Sequence, residues 1–223
     1  MGGDADGMSG QHDRCVNVVL LHSPLVGPAT WRPVASLLLA GGHEVVVADP
    51  RTVQVDGPVV VVPHSNAGLY APLLAERLDV VATVYVDAAL AGDGPDTALA
   101  PPALVEHLRT LMDPDGVLPP WSRWWSSEDL EGLFPNEATR AAVERELPRL
   151  PLAYFTRRLP VPVGWRARPS AYLAFGDTYA DEIVRARELG WPVEVMAGRH
   201  LHQLHEPAAV ADAIVRLAAA AAR

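Results

Sequence analysis

The sequence has few cysteines, few clustered cations and no long apolar run. Its single cysteine, Cys15, excludes an intramolecular disulfide and favours a reducing compartment. Lys and Arg number 18 against 27 Asp and Glu, and the net charge is -9. Without a basic stripe, a nucleic-acid partner is disfavoured, and without a long apolar run a membrane-spanning segment is too. We therefore expect a soluble, cytoplasmic protein with no nucleic-acid or membrane partner.

The first residues also lack the marks of a targeting segment. Residues 1–14 are polar and glycine-rich, without the basic and apolar regions of a signal peptide. We predict that this stretch is a disordered leader. The remaining length fits one domain with a substantial core.

Short apolar runs alternate with helical patterns along the chain. Strands are predicted at six places: 16–21, 44–48, the valine run at 59–62, 80–86, 171–175 and 192–196. Helices are predicted at 31–40, 67–78, 181–189 and 207–219. Alternation of this kind is typical of an α/β fold with a mostly parallel, six-stranded, doubly wound sheet. Residues 15–89 and 169–223 form its predicted core, and residues 90–168, where the strand signal disappears, form a predicted helical cap insertion.

Ligands of such sheets bind where the strands end, so the polar residues there are candidate site residues. Ser65 follows the valine run and precedes a helical pattern. A serine on a sharp turn from strand to helix exposes its hydroxyl as a nucleophile, although a serine here can also simply cap the helix. The other strand-end candidates are His22, Ser23, Asp49, His64, Asp87, Asp177 and His200.

Three segments together resemble the α/β-hydrolase family. His-Ser-Pro at 22–24 with Trp31 resembles the family's oxyanion loop, and Pro-His-Ser-Asn-Ala at 63–67 resembles its nucleophile elbow. Gly-Arg-His-Leu at 198–201, with His-Glu-Pro at 205–207, resembles the segment of the catalytic histidine. The segments occur in the family's order. The resemblance implies a reduced form of the fold that lacks the two usual first strands and carries a small cap.

The resemblance implies that Ser65 is the nucleophile and His200 its base. His202 and His205 compete with His200 for this role. The three histidines also suggest a metal site, but no cysteine or carboxylate cluster adjoins them. We therefore predict neither a metal nor a cofactor.

Two aspartates compete for the role of the acid that orients His200. Asp87 ends the strand after the nucleophile strand, where the haloalkane dehalogenases of this family carry their acid. Asp177 lies near the family's commoner acid position, but the usual spacing falls on Tyr179. We favour Asp87; Asp177 can instead cap a loop.

The oxyanion hole departs from the family's pattern. One donor is the amide of Asn66, but the usual second position is Pro24, which has no N–H. Leu25 is our candidate for the second donor; a side chain such as Ser23 can replace it, or the donor is missing. We also assign Pro24 and Trp125 to the substrate pocket.

Three functions remain compatible with these residues. The first is a serine hydrolase of a small or medium apolar ester, lactone or thioester, its pocket walled by cap tryptophans, which can also simply pack the cap: Trp121, Trp124, Trp125 and Trp165. The second, motivated by Pro24, is a lyase, cyclase or dehydratase of a biosynthetic pathway. The third is a binding protein without turnover. In each case the partner is a small molecule, and the protein can be a monomer or a homodimer.

Overall fold

The main sheet is parallel and doubly wound. A computed structural model describes residues 17–223, so the predicted leader and Cys15 lie outside the described residues. The described chain forms eight strands: β1 (Asn17–Leu21), β2 (Glu44–Ala48), β3 (Pro58–Ser65), β4 (Asp79–Ala88), β5 (Asp96–Ala98), β6 (Arg158–Pro160), β7 (Ser170–Phe175) and β8 (Val193–Met196). Six of them pair in parallel in the order β2-β1-β3-β4-β7-β8. This confirms the predicted fold class.

Helices cover both faces of the sheet. The α-helices of the described residues are α1 (Arg32–Ala40), α2 (Ala71–Leu74), α3 (Pro102–Arg109), α4 (Ser127–Leu130), α5 (Glu137–Glu144), α6 (Leu152–Phe155), α7 (Ala180–Glu188) and α8 (Pro207–Ala221). On one face, Val18 and Leu20 of β1 pack into a cluster with residues of α1 and α8. On the other, Val19 and Leu21 pack with Leu74 of α2. Successive residues of a strand point to opposite faces, so a strand covered on both sides is apolar throughout. Within the described residues, no helix combines the length and apolarity needed to cross a membrane.

The helix predicted over residues 67–78 is wrong in form. After Ser65 the chain makes a 3-10 helix, Asn66–Tyr70, followed by the short α2. In a continuous α-helix, residue 72 would donate its N–H to Gly68 O, but Pro72 has no N–H. The Ala71 amide donates to Gly68 O instead, which is the tighter 3-10 pattern.

The segment between β4 and β7 contains strands that the sequence did not predict. Besides α3, α4, α5 and α6, it holds the antiparallel pair of β5 and β6. Each of these strands has three residues, too few for an alternating pattern to show in the sequence. The pair brings the two ends of the segment together. Trp121, Trp124 and Phe155 of this segment share a hydrophobic cluster with Leu25 and Leu69. Leu25 follows the carboxyl end of β1 and Leu69 that of β3, so the segment lies over the carboxyl edge of the sheet.

Candidate active site

Ser65 lies on a strained turn at the end of β3. Its φ of 57° and ψ of -130° are unusual for a residue with a side chain, and no side-chain hydrogen bond caps the following helix. The turn packs closely on the end of β4: a Cβ at position 68 would lie 2.2 Å from Ala89 O, so only glycine fits. The simple helix-cap interpretation of Ser65 is therefore not supported by the geometry.

Ser65, His200 and Asp87 form a hydrogen-bonded series across three strand ends. His200 Nδ1 lies 2.6 Å from Asp87 Oδ2, and His200 Nε2 lies 3.0 Å from Ser65 Oγ. The other oxygen of Asp87 accepts the Phe175 N–H at 3.0 Å. Since a carboxylate can only accept, the imidazole proton sits on Nδ1 and leaves Nε2 free to accept from Ser65. Asp87 is fully buried, and its φ of 40° is the other positive value at a non-glycine residue of the described chain.

The competing candidates lie elsewhere. Asp177 is exposed, and among the described residues it is Asp87, not Asp177, that bonds to His200. His205 Nε2 lies 3.2 Å from Leu133 O, and His202 packs edge-on against Phe175. Within residues 17–223, no three His, Cys, Asp or Glu side chains are grouped so that they could hold a metal ion.

His64 stacks on His200. The two ring centroids lie 4.7 Å apart, and His64 Nε2 donates to the backbone oxygen of His200 at 2.9 Å. Burial lowers the pKa of the His64 imidazole well below its usual value, so this ring stays neutral. Its Nδ1 finds no hydrogen-bond partner within the described residues. His64 thus supports both the backbone and the ring of His200.

His64 makes the stability of the protein depend on pH. The unfolded chain binds a proton on this imidazole below about pH 6.5, whereas the folded chain does not, so stability is lost as the pH falls below that value. For each unit by which the pH falls below that value, we expect His64 to lower the free energy of unfolding by up to about 1.4 kcal/mol. Urea unfolding at about pH 7.5 and about pH 5.5, on either side of that value, should show a smaller difference for His64→Gln than for the native protein. An equal difference in both proteins would contradict this assignment.

Asn66 and Leu25 are the residues expected to form the oxyanion hole. Asn66 directly follows the nucleophile candidate, and both Asn66 and Leu25 line the cavity above it. The Leu25 N–H, however, donates to Ser23 Oγ at 3.3 Å. Pro24, predicted to bind substrate, is not among the residues that line that cavity. Ser23 is fully buried, and its hydroxyl oxygen accepts the N–H of Leu25, the predicted second donor.

The side chain of Asn66 joins the elbow to the segment above it, a connection that the sequence did not reveal. Its Nδ2 donates to Leu99 O at 2.8 Å, and Tyr154 donates its hydroxyl to Asn66 Oδ1 at 2.7 Å. The hydroxyl of Tyr70 lies 3.0 Å from that of Tyr154. Burial raises the pKa of both tyrosines, so the series stays uncharged. These bonds fix the side chain of Asn66, the residue that directly follows Ser65.

A cavity of about 540 Å³ lies above Ser65. Its wall is mostly apolar and includes three of the tryptophans considered for the pocket, Trp121, Trp124 and Trp125. Trp165 does not line it; it packs on Trp191 and Tyr172 in the core on one face of the sheet. The polar residues on its wall include Tyr179 and Glu182, and burial raises the pKa of the Glu182 carboxyl. A neighbouring cavity of about 290 Å³ is lined by His200 together with Asp129, Asp177 and Arg199.

Known structures share this architecture. No protein-family model matches the sequence, and no curated protein sequence matches it either. An extracellular alpha/beta-hydrolase from a Paenibacillus species, described as sharing structural and functional homology with tobacco salicylic acid binding protein 2, superposes with a TM-score of 0.69 at 17% identity, over 91% of this chain and 98% of its own. A variant of tomato methylketone synthase I gives 0.70 at 13% identity, over 93% and 99%. A pyrethroid hydrolase gives 0.65 at 20% identity, over 94% and 99%. At these identities the likeness establishes a common fold, the one that the three sequence motifs predict.

Proposed function

We propose that this chain, which has the α/β-hydrolase fold, is a serine hydrolase that acts on a small or medium apolar ester, lactone or thioester. The observation that carries the proposal is the series of hydrogen bonds from Asp87 through His200 to Ser65, with spacings of 2.6 and 3.0 Å. An isolated helix cap needs no such series. Similar structures that are named as hydrolases agree with it.

The geometry fits attack by Ser65 with His200 as general base. Nε2 takes the Ser65 proton as Oγ forms a bond to the carbonyl carbon, and Asp87 stabilises the resulting imidazolium. The imidazolium then gives its proton to the leaving oxygen, which departs and leaves an acyl group on Ser65. A water molecule then attacks the acyl carbon and gives a proton to Nε2 of His200. The imidazolium returns a proton to Ser65 Oγ as the bond to the acyl group breaks, and the acid is released. Asn66 N–H is the backbone donor expected to face the oxyanion.

The cavity above Ser65 supports an apolar acyl or alcohol group of modest size. Its volume of about 540 Å³ lies within the usual range of small-molecule pockets. Trp121, Trp124 and Trp125 supply apolar surface. Glu182 is the carboxylate on the wall, and the remaining polar side chains there are hydroxyls, an amide and an imidazole. We therefore propose an uncharged small molecule as the partner. We also propose that the protein uses no cofactor and is located in the cytoplasm.

A second candidate is a non-hydrolytic enzyme, such as a lyase, cyclase or dehydratase. The bond from Leu25 N–H to Ser23 Oγ favours it, because this amide is then not free for an oxyanion. In that reaction His200 acts as a general base on the substrate and Ser65 only donates a hydrogen bond. One structurally similar protein is named as a synthase. A binding protein without turnover is the least favoured, because it has no need for Ser65 and His200 within 3.0 Å of each other.

A fluorophosphonate probe tests the first candidate directly. Such a probe forms a covalent bond with a serine only when a neighbouring base takes the hydroxyl proton. We expect the native protein to be labelled once per chain, at Ser65, and Ser65→Ala to remain unlabelled. Peptide mass spectrometry locates the label, and circular dichroism shows that the variant is folded. A folded native protein that resists labelling would refute the proposal, whereas ester turnover that is lost in Ser65→Ala would refute the non-hydrolytic alternative.

A further inference from the structure

Tyr179 places a phenol beside the reacting oxygen. Its hydroxyl lies 3.5 Å from Ser65 Oγ, and its ring lies against that of His200 with the centroids 5.7 Å apart. The residue immediately precedes α7 and lines the cavity above Ser65. The steps of the proposed hydrolysis described above do not use this phenol.

The direction of this contact follows from the other bonds of Ser65. The hydroxyl of Ser65 has one proton, which points to Nε2 of His200. The phenol is therefore the donor toward Ser65 Oγ. Burial raises the pKa of Tyr179 above its ordinary value, which keeps this proton in place at neutral pH. The site thus contains a neutral donor aimed at the atom where bonds form and break.

The strand order tells which side of Ser65 this donor occupies. Residues 22–25 follow β1, which is next to β3 on one side. Tyr179 follows β7, and His200 follows β8, both on the other side of β3. Hence Tyr179 approaches from the side of the general base, opposite to the oxyanion loop. In acyl transfer the leaving oxygen lies on the side of the base, since the base must protonate it.

We propose that Tyr179 is a catalytic residue that donates a hydrogen bond to the oxygen of the leaving group while His200 protonates it. The proposal rests on the proposed hydrolase function. As the bond from the carbonyl carbon to the leaving oxygen breaks, its electron pair moves to that oxygen, and the proton on His200 Nε2 is transferred there. The phenol keeps its own proton and stabilises the charge that develops before the transfer is complete. In the second half of the reaction, the same hydroxyl holds the attacking water.

The proposal predicts that the effect of Tyr179→Phe depends on the leaving group. An alkoxide leaves poorly and needs the donor, whereas a nitrophenolate leaves without protonation. With ethyl butyrate, we expect kcat/KM to fall about 10- to 100-fold, the effect of one hydrogen bond to a charged group. With nitrophenyl butyrate, which gives the same acyl group, we expect a loss of less than about threefold. Labelling by a fluorophosphonate, whose leaving group is fluoride, should keep its native rate.

The control is Tyr85→Phe, which removes a buried phenol of β4 that stacks on Trp191 and lies outside the cavity. It should leave both rates unchanged. An equal loss with both esters would overturn the proposal, because Tyr179 would then act on the oxyanion or only position Ser65. No loss with either ester would overturn it as well. If the native protein neither labels nor hydrolyses, the hydrolase function itself fails and this proposal falls with it; normal labelling with a uniform effect rejects this proposal alone.

Discussion

Replacing Asp87 with asparagine should lower kcat by about 10⁴-fold. The amide oxygen of the new side chain can still accept the Phe175 N–H, as Asp87 Oδ1 does at 3.0 Å. The NH₂ group then faces Nδ1 of His200, which must become an acceptor. The imidazole proton moves to Nε2, where it cannot take the proton of Ser65. Asparagine also tolerates the positive φ of 40° at this position, so the fold should survive.

Kinetics with nitrophenyl butyrate and the rate of fluorophosphonate labelling measure this loss. The matched control is Asp177→Asn, the other candidate acid. Asp177 is exposed on the wall of the neighbouring cavity, so its charge acts only through solvent and should change kcat by less than about threefold. If instead the Asp177 variant were inactive and the Asp87 variant active, the assignment of the acid would be wrong.

Replacing Gly68 with alanine should destabilise the protein severely. The added Cβ would lie 2.2 Å from Ala89 O and 3.0 Å from the Cβ of Ala88. Both atoms are fixed by the backbone at the end of β4, so neither can rotate away. We expect the free energy of unfolding to fall by about 3 kcal/mol or more, at the upper end of the range for overpacking. The turn that carries Ser65 must shift to relieve the contact, so labelling by the probe should also slow.

Urea unfolding of Gly68→Ala and Gly94→Ala separates the clash from the general effect of removing a glycine. At position 94 the nearest atom to a new Cβ is Asp96 O at 3.7 Å, an ordinary contact. The Gly94 variant should therefore remain within about 0.5 kcal/mol of the native protein. A Gly68 variant as stable as the Gly94 variant would show that the elbow does not need this close approach. Loss of soluble protein in the Gly68 variant alone would agree with the prediction.

Much of the fold could be read from the sequence because its signals are local. Central strands such as β3 are buried on both faces, so they appear as uninterrupted apolar runs. The elbow helix was wrong because propensity favours a helix over 67–78, while one missing N–H at Pro72 changes its form. The pair of β5 and β6 was missed because each strand has only three residues and its partner lies far away in the sequence.

The sequence by itself determined the parallel α/β architecture and the set of polar residues at its strand ends, including Ser65, His200 and both candidate acids. It could do so because strand runs, turn residues and their order depend on neighbours along the chain. Only the tertiary structure decided which of these residues meet. It placed Asp87 on His200 and aimed Tyr179 at Ser65, and these pairs are 113 and 114 positions apart in the sequence. A local sequence pattern cannot predict the distance between residues so far apart in the chain. That distance is fixed only by the packing of the strands.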